Sequence, residues 1–181
     1  MAIEINTKVS VGQSYGAKGI PNITLEDAKF FGRPNFAGEM NRFKETKRQF
    51  TVLIPNDVAD QLRQIGYNVK TNIPTQEELA EFPDREPISH LKVAVDEPTE
   101  SGGSAVYIKM GETGTPEKLT AANLGAMDRA RIHDMDMEIR GWMYNQDEVN
   151  KGIEQPLYSA RLVTVVANIQ LDILGAKYGI L

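Results

Sequence analysis

The chain has 181 residues, 41% hydrophobic and 25% charged, the balance of a globular domain large enough for a real core. It contains no cysteine, which excludes disulfide scaffolds and thiolate metal sites. No apolar run approaches the roughly 20 residues of a membrane helix, and MAIEINTKVSVGQ lacks a secretory pattern, so a soluble intracellular protein is expected. The net charge of −5 is unevenly spread. Between Lys29 and Arg48, six basic residues (Lys29, Arg33, Arg42, Lys44, Lys47, Arg48) face only Glu39 and Glu45. That stretch carries +4 and the remainder −9. A compact basic segment on an acidic body suits a protein that gathers phosphates in one groove and repels them elsewhere.

In chain order, residues 1–21 hold Gly12, Gly16, Gly19 and Pro21 and read as an arm or weak edge strand. The segment Ile23 to Phe31 reads as a first strand, and RPNFAGEMNRFKETKR as a hairpin loop. QFTVLIP, with Phe50, Val52 and Ile54 in one phase, predicts a strand ended by Pro55. NDVADQLRQIG predicts a helix over about 56–66, capped by Asn56 or Asp57 and ended by Gly66. Residues 71–90 carry three prolines and predict a loop with one helical turn at Glu77 to Glu81. HLKVAVD and AVYIKM alternate cleanly and predict strands. A short helix is expected within PEKLTAANLGAMDRARI, before the strand MEIRGWMYN and a long final strand LYSARLVTVVANIQL. Many strands with few helices imply a mainly β protein. An OB-like five-stranded barrel with insertions fits over residues 22–181, and a β-sandwich fits the strand count nearly as well.

Five of the six phenylalanines (Phe30, Phe31, Phe36, Phe43, Phe50) interleave with the six basic residues. Single-strand binders need cations to follow phosphates and aromatic faces on which bases stack. Phe30 and Phe50 share strand phases with apolar neighbours and suit the core. For Phe36 and Phe43, in a polar loop with Gly and Pro, core and surface roles both remain open. Strand phase adds a second clue. With the apolar phase inward, the opposite phase shows Lys92, then Tyr107 and Lys109, then Arg140, Trp142 and Tyr144. An outward Trp between Arg and Tyr suits base stacking; the alternatives are a dimer interface or packing under a loop.

The run KFFGRPNFAGEMNRFKETKRQFTVLIPNDVADQLRQIGYNVK resembles the signature of a phage-encoded single-stranded DNA-binding protein family. The matching elements are Asn35-Phe36-Ala37-Gly38, Arg42-Phe43, Lys47-Arg48-Gln49-Phe50 and Gly66-Tyr67-Asn68-Val69-Lys70. The resemblance implies an OB fold, sequence-independent single-strand binding and a role in phage replication or recombination within the host cytoplasm. It adds weight to Phe36, Arg42, Phe43, Lys47 and Arg48 as DNA-contact or loop-shaping residues. Single-stranded DNA is the expected partner. A homo-oligomer and contacts with phage replication or recombination proteins are left open, and no membrane is involved. Many such proteins end in an acidic tail, whereas this chain ends LDILGAKYGIL.

The expected nucleic-acid site therefore comprises Arg33, Phe36, Arg42, Phe43, Lys44, Lys47 and Arg48 with Tyr107, Lys109, Arg140, Trp142 and Tyr144. No catalytic set, cofactor or metal is expected. His90 and His133 lie at strand entries, and GETGTPEK lacks P-loop spacing. Two other readings compete: a phage structural or assembly protein using the Trp142 face as an interface, and a metal-dependent nuclease using Asp134 and Asp136.

Overall fold

Alternating apolar residues build nearly the whole scaffold. The structure is a computed structural model that describes residues 5–12, 20–111 and 113–170. The elements are β1 (Lys8–Gly12), β2 (Asn22–Glu26), β3 (Gln49–Ile54), α1 (Asn56–Ile65), β4 (Val69–Asn72), α2 (Gln76–Glu81) and β5 (Ile88–Ala94). They continue with β6 (Ala105–Met110), β7 (Glu117–Lys118), α3 (Ala126–Arg129), β8 (Ile132–Met143), α4 (Gln146–Asn150) and β9 (Tyr158–Ile169). Gly16, Gly19 and the run from Leu171 lie outside the described residues. Among those described, no helix is long and apolar enough to cross a membrane.

The sheet runs β1-β2-β8-β9-β5-β3, with β4 added to β5, β6 to β9 and β7 to β6. Pairing is antiparallel except where β9 meets β5 and β6. The protein is mainly β, and β2, β3, β5, β9 and β8 form a partly open barrel of OB type. No ladder joins β2 to β3. Residues 28–35 cross that gap: Ala28 N–H donates to Met135 O (2.8 Å) and Leu53 N–H to Lys29 O (2.9 Å). Phe31 N–H donates to Thr51 O (2.8 Å), and Asn35 exchanges two bonds with Gln49 (2.8 and 3.0 Å). The single strand expected over 23–31 is thus β2 followed by a break at Asp27 (φ 55°) and an extended run that changes partner.

Inward positions make one core. Ile23 and Leu25, Phe50, Val52 and Ile54, Leu91 and Val93, Met135, Met137 and Ile139, and Leu162 and Val165 are all buried. α1 closes one end with Ala59 and Leu62 buried. Its cap differs from the sequence expectation: Pro55 is the N-cap residue, without a side-chain bond. Asn56 is drawn into the tertiary structure instead, donating to Pro87 O (2.8 Å) and accepting from Ser89 Oγ (2.7 Å). Within 71–90, α2 forms the expected turn, closed by a Thr75–Glu78 capping box, and buries none of its residues.

Gly66 ends α1 at φ 127°, where a Cβ would stand 2.4 Å from Pro156 O. Both the backbone angle and the close approach demand glycine. Gly66→Ala is expected to destabilise the fold by about 2 kcal/mol or more, read as a lowered urea midpoint with the m-value unchanged.

Candidate nucleic-acid interface

The loop between β2 and β3 has a fixed base and an exposed tip. At the base, the Phe36 ring is fully buried and stacks on Phe50 at 5.4 Å, with Phe30 completing the cluster at 6.0 and 5.3 Å. The Asp128 carboxylate in α3 accepts Phe36 N–H (2.7 Å) and Ala37 N–H (3.0 Å), and Arg48 Nε donates to Phe36 O (2.9 Å). Asn35 spans the neck, donating to Glu39 O (3.0 Å) and Lys47 O (3.2 Å). Gly38 (φ 72°) lies where a Cβ would press on Thr46 O at 3.2 Å.

Beyond the neck, Asn41 Oδ1 accepts the N–H groups of Phe43 (2.9 Å) and Glu45 (3.0 Å), and Lys44 takes a left-handed conformation (φ 59°). This tight turn presents Arg42, Phe43 and Lys44 together. Phe43 is 68% exposed, with the Arg42 guanidinium 4.8 Å from its ring centroid. Lys47 is exposed and lies 3.7 Å from Glu45, and Arg33 is exposed nearer the loop entry.

Cross-strand register carries the site onto the sheet. On the outer side, Gln49 of β3 pairs with Ala94 of β5, Ala94 with Arg161 of β9, and Arg161 with Arg140 of β8. In the next outward row, Thr51 pairs with Lys92 and Ser159 with Trp142. Trp142 is 58% and Tyr144 59% exposed, and the Arg161 guanidinium lies 5.7 Å from the indole centroid. The loop joins this face directly: Val95 N–H donates to Arg48 O (2.9 Å), and the next residue, Asp96, contacts Arg161 and Arg140. Phe31 extends it, stacked on His90 at 4.7 Å. Burial, and then the charge of Lys70, hold the His90 imidazole below its usual pKa.

The predicted residues therefore sort into groups. Arg42, Phe43 and Lys44 form the tip, with Lys47 at the neck and Arg33 near the loop entry, while Arg140, Trp142 and Tyr144 stand on the adjoining face. Phe36 offers no surface to a base, because its ring fills the core; it is a loop anchor, and Arg48 shapes the same loop. Tyr107 and Lys109 are outward too, but they pair with Val166 and Asn168. Those partners lie five and seven residues along β9 from Arg161, about 17 and 23 Å at strand rise, so they do not join the Trp142 cluster. Sequence reasoning missed Phe31, Arg161, Asp96 and Asp128. Arg161 had a visible signal, since it alternates with buried Ala160 and Leu162.

The acidic run after His133 is engaged in tying β2 to β8. Asp136 accepts Asp27 N–H (3.0 Å) and Glu138 accepts the Asn22 amide (3.0 Å). Among the described residues, no three metal-ligating side chains converge.

A partly open OB-type barrel whose outer face and first loop present cations beside exposed aromatic rings is the architecture of a nucleic-acid-binding module. The chain belongs to the phage ssDNA-binding domain family, whose model matches residues 13–111, more than half of it. Among solved structures it is similar to the single-stranded DNA-binding protein from bacteriophage Enc34 in complex with ssDNA. That likeness has 15% identity and a TM-score of 0.46, covering 90% of this chain and 97% of that one. A C-terminal truncation of the same phage protein gives 14% identity and a TM-score of 0.45, with the same coverage. No curated protein matches the sequence.

Two stability measurements check this geometry. Phe36→Ala is expected to cost about 3–5 kcal/mol, whereas Phe43→Ala should stay within about 0.5 kcal/mol of the parent; equal losses would contradict the anchor-and-tip division. For His90, the unfolded imidazole titrates near 6.5 and the folded one lower, so on acidification the unfolded chain takes the proton first. Stability should fall from about pH 7 downward until the folded pKa is passed. His90→Gln should lose less between pH 7.5 and 6.0 in denaturant titrations.

Proposed function

We propose that this chain binds single-stranded DNA without sequence preference, serving phage replication or recombination in the infected cell. The observation that carries the reading is the continuity of the exposed Phe43 tip with the Arg140, Arg161, Trp142 and Tyr144 face, linked through residues 95–97. Phosphates would meet Arg33, Arg42, Lys44, Lys47, Lys92 and Arg140, while bases stack on Phe43, Trp142 and Tyr144. Stacking accepts any base because every base has a π-face, which gives affinity without a sequence code. A strand long enough to turn along β9 would also reach Tyr107 and Lys109. The role proposed is binding rather than catalysis, with the host cytoplasm as its setting. Other phage replication proteins and further copies of this chain are candidate partners.

Fluorescence anisotropy with labelled oligo(dT) of about 30 nucleotides, beside a duplex control, tests the reading. Affinity for the single strand should exceed that for duplex and fall with salt at a log–log slope of about −0.7 per phosphate neutralised. Phe43→Ala should weaken binding about tenfold, within the ~1–3 kcal/mol of one stacked base. Absence of binding at low salt, with a measured mass at a multiple of the monomer, would instead make the Trp142 face a subunit interface.

A further inference from the structure

Two arginines on the proposed face share one carboxylate. Arg140 and Arg161 are cross-strand partners in the β8–β9 ladder, so their side chains rise together on the outer side. The Asp96 carboxylate accepts from Arg161 Nη1 at 2.8 Å and lies 3.7 Å from Arg140 Nη2. The backbone around Asp96 is pinned. Asp96 N–H donates to Ser104 Oγ (2.9 Å), Ser104 N–H donates back to Asp96 O (3.0 Å), and Ser104 Oγ donates to Leu162 O (2.7 Å). The guanidinium pair is nevertheless incompletely satisfied. Arg161 Nε is buried and has no hydrogen-bond partner among the described residues. A single carboxylate thus occupies the space between two planar, five-donor groups that match phosphate geometry. Arg161 lies 5.7 Å from the centroid of the exposed Trp142 ring, a flat surface beside the same pair.

We propose that Arg140, Arg161 and Trp142 form a subsite for one nucleotide, held closed in the unbound protein by Asp96. The backbone phosphate displaces the carboxylate from the two guanidinium groups while the base stacks on the indole. Asp96 acts as an internal competitor that moderates affinity and rejects weaker anions. This rests on the single-strand reading above and adds to it a residue, Arg161, and a regulating carboxylate.

The chain contains one tryptophan, so emission excited at the red edge of the absorption band, where its six tyrosines do not absorb, reports on this subsite. In the parent protein, oligo(dT) should change Trp142 emission with the same midpoint as the anisotropy signal. Asp96→Asn should bind roughly tenfold tighter, because the same phosphate reaches both arginines with no carboxylate to displace. Arg161→Met should bind more weakly with a shallower slope, and the double variant should lose the Asp96→Asn gain. Glu100→Gln removes the same charge from the neighbouring turn, and its affinity should match the parent's. Thermal melts establish that each variant is folded. If Asp96→Asn does not fold, parent emission and Arg161→Met still decide the matter. If the parent binds oligo(dT) but Asp96→Asn leaves affinity unchanged, or emission stays constant, the subsite is wrong and the single-strand reading survives. If the parent binds no oligo(dT), the single-strand reading itself fails and takes the subsite with it.

Discussion

β9 carries hydrogen-bond partners along both edges, and the placement of the proposed interface follows from that one strand. It pairs with β8 over its whole length on one side, and on the other with β5 near its start and β6 near its end. Side chains alternate with a period of two, so a one-residue slip of β9 would bury Arg161 and expose Leu162. Core packing on Ala160, Leu162 and Val165 therefore fixes the register that sets Arg161 opposite Arg140 and Ser159 opposite Trp142. The shift between Glu138 and Ile139 leaves Val163 without a partner in the β8–β9 register and preserves inward and outward phases on both sides.

The first loop solves a different problem. A loop that is to meet a flexible polymer needs an exposed tip, yet a wholly mobile one would lose conformational entropy on binding. Here the base is ordered in advance by Phe36 in the core, the paired N–H bonds to Asp128 and the Arg48 bond to Phe36 O. The tip is ordered by its own Asn41 turn. Arg42, Phe43 and Lys44 consequently stand in the solvent without depending on contacts that binding would have to break.

The legible parts of the chain were those in which local pattern and tertiary role agree. β3, α1, β5 and β6 could be read from phase and turn residues, because their inward faces are the same ones that alternation marks. Phe36 and Phe43 show the limit. Both sit in one polar, glycine-containing loop, and what separates them is Asp128, about ninety residues further along the chain. Asn56 was misread for the same reason, its cap role being overridden by Pro87 and Ser89. Tyr107 and Lys109 have the outward phase that was expected of them. Their distance from Trp142 is set by the parallel β6–β9 register, which no local signal encodes. Asp96 gave no sign either, since its meaning lies in two arginines on strands that follow much later.

The distribution of charge on β8 bears on the direction of a bound strand. Its outward residues change sign midway, from Asp134, Asp136 and Glu138 to Arg140, then Trp142, with Tyr144 just past the strand end. A polyanion laid along β8 would meet three carboxylates within the first half of its course. Across the strands the field is different: Lys92, Arg161 and Arg140 stand in adjacent rows, and the basic loop lies beyond β3. On the proposed reading, like-charge repulsion from these carboxylates favours the transverse course. The net −9 outside the loop segment would, on the same reading, steer phosphates toward the basic rows and the loop.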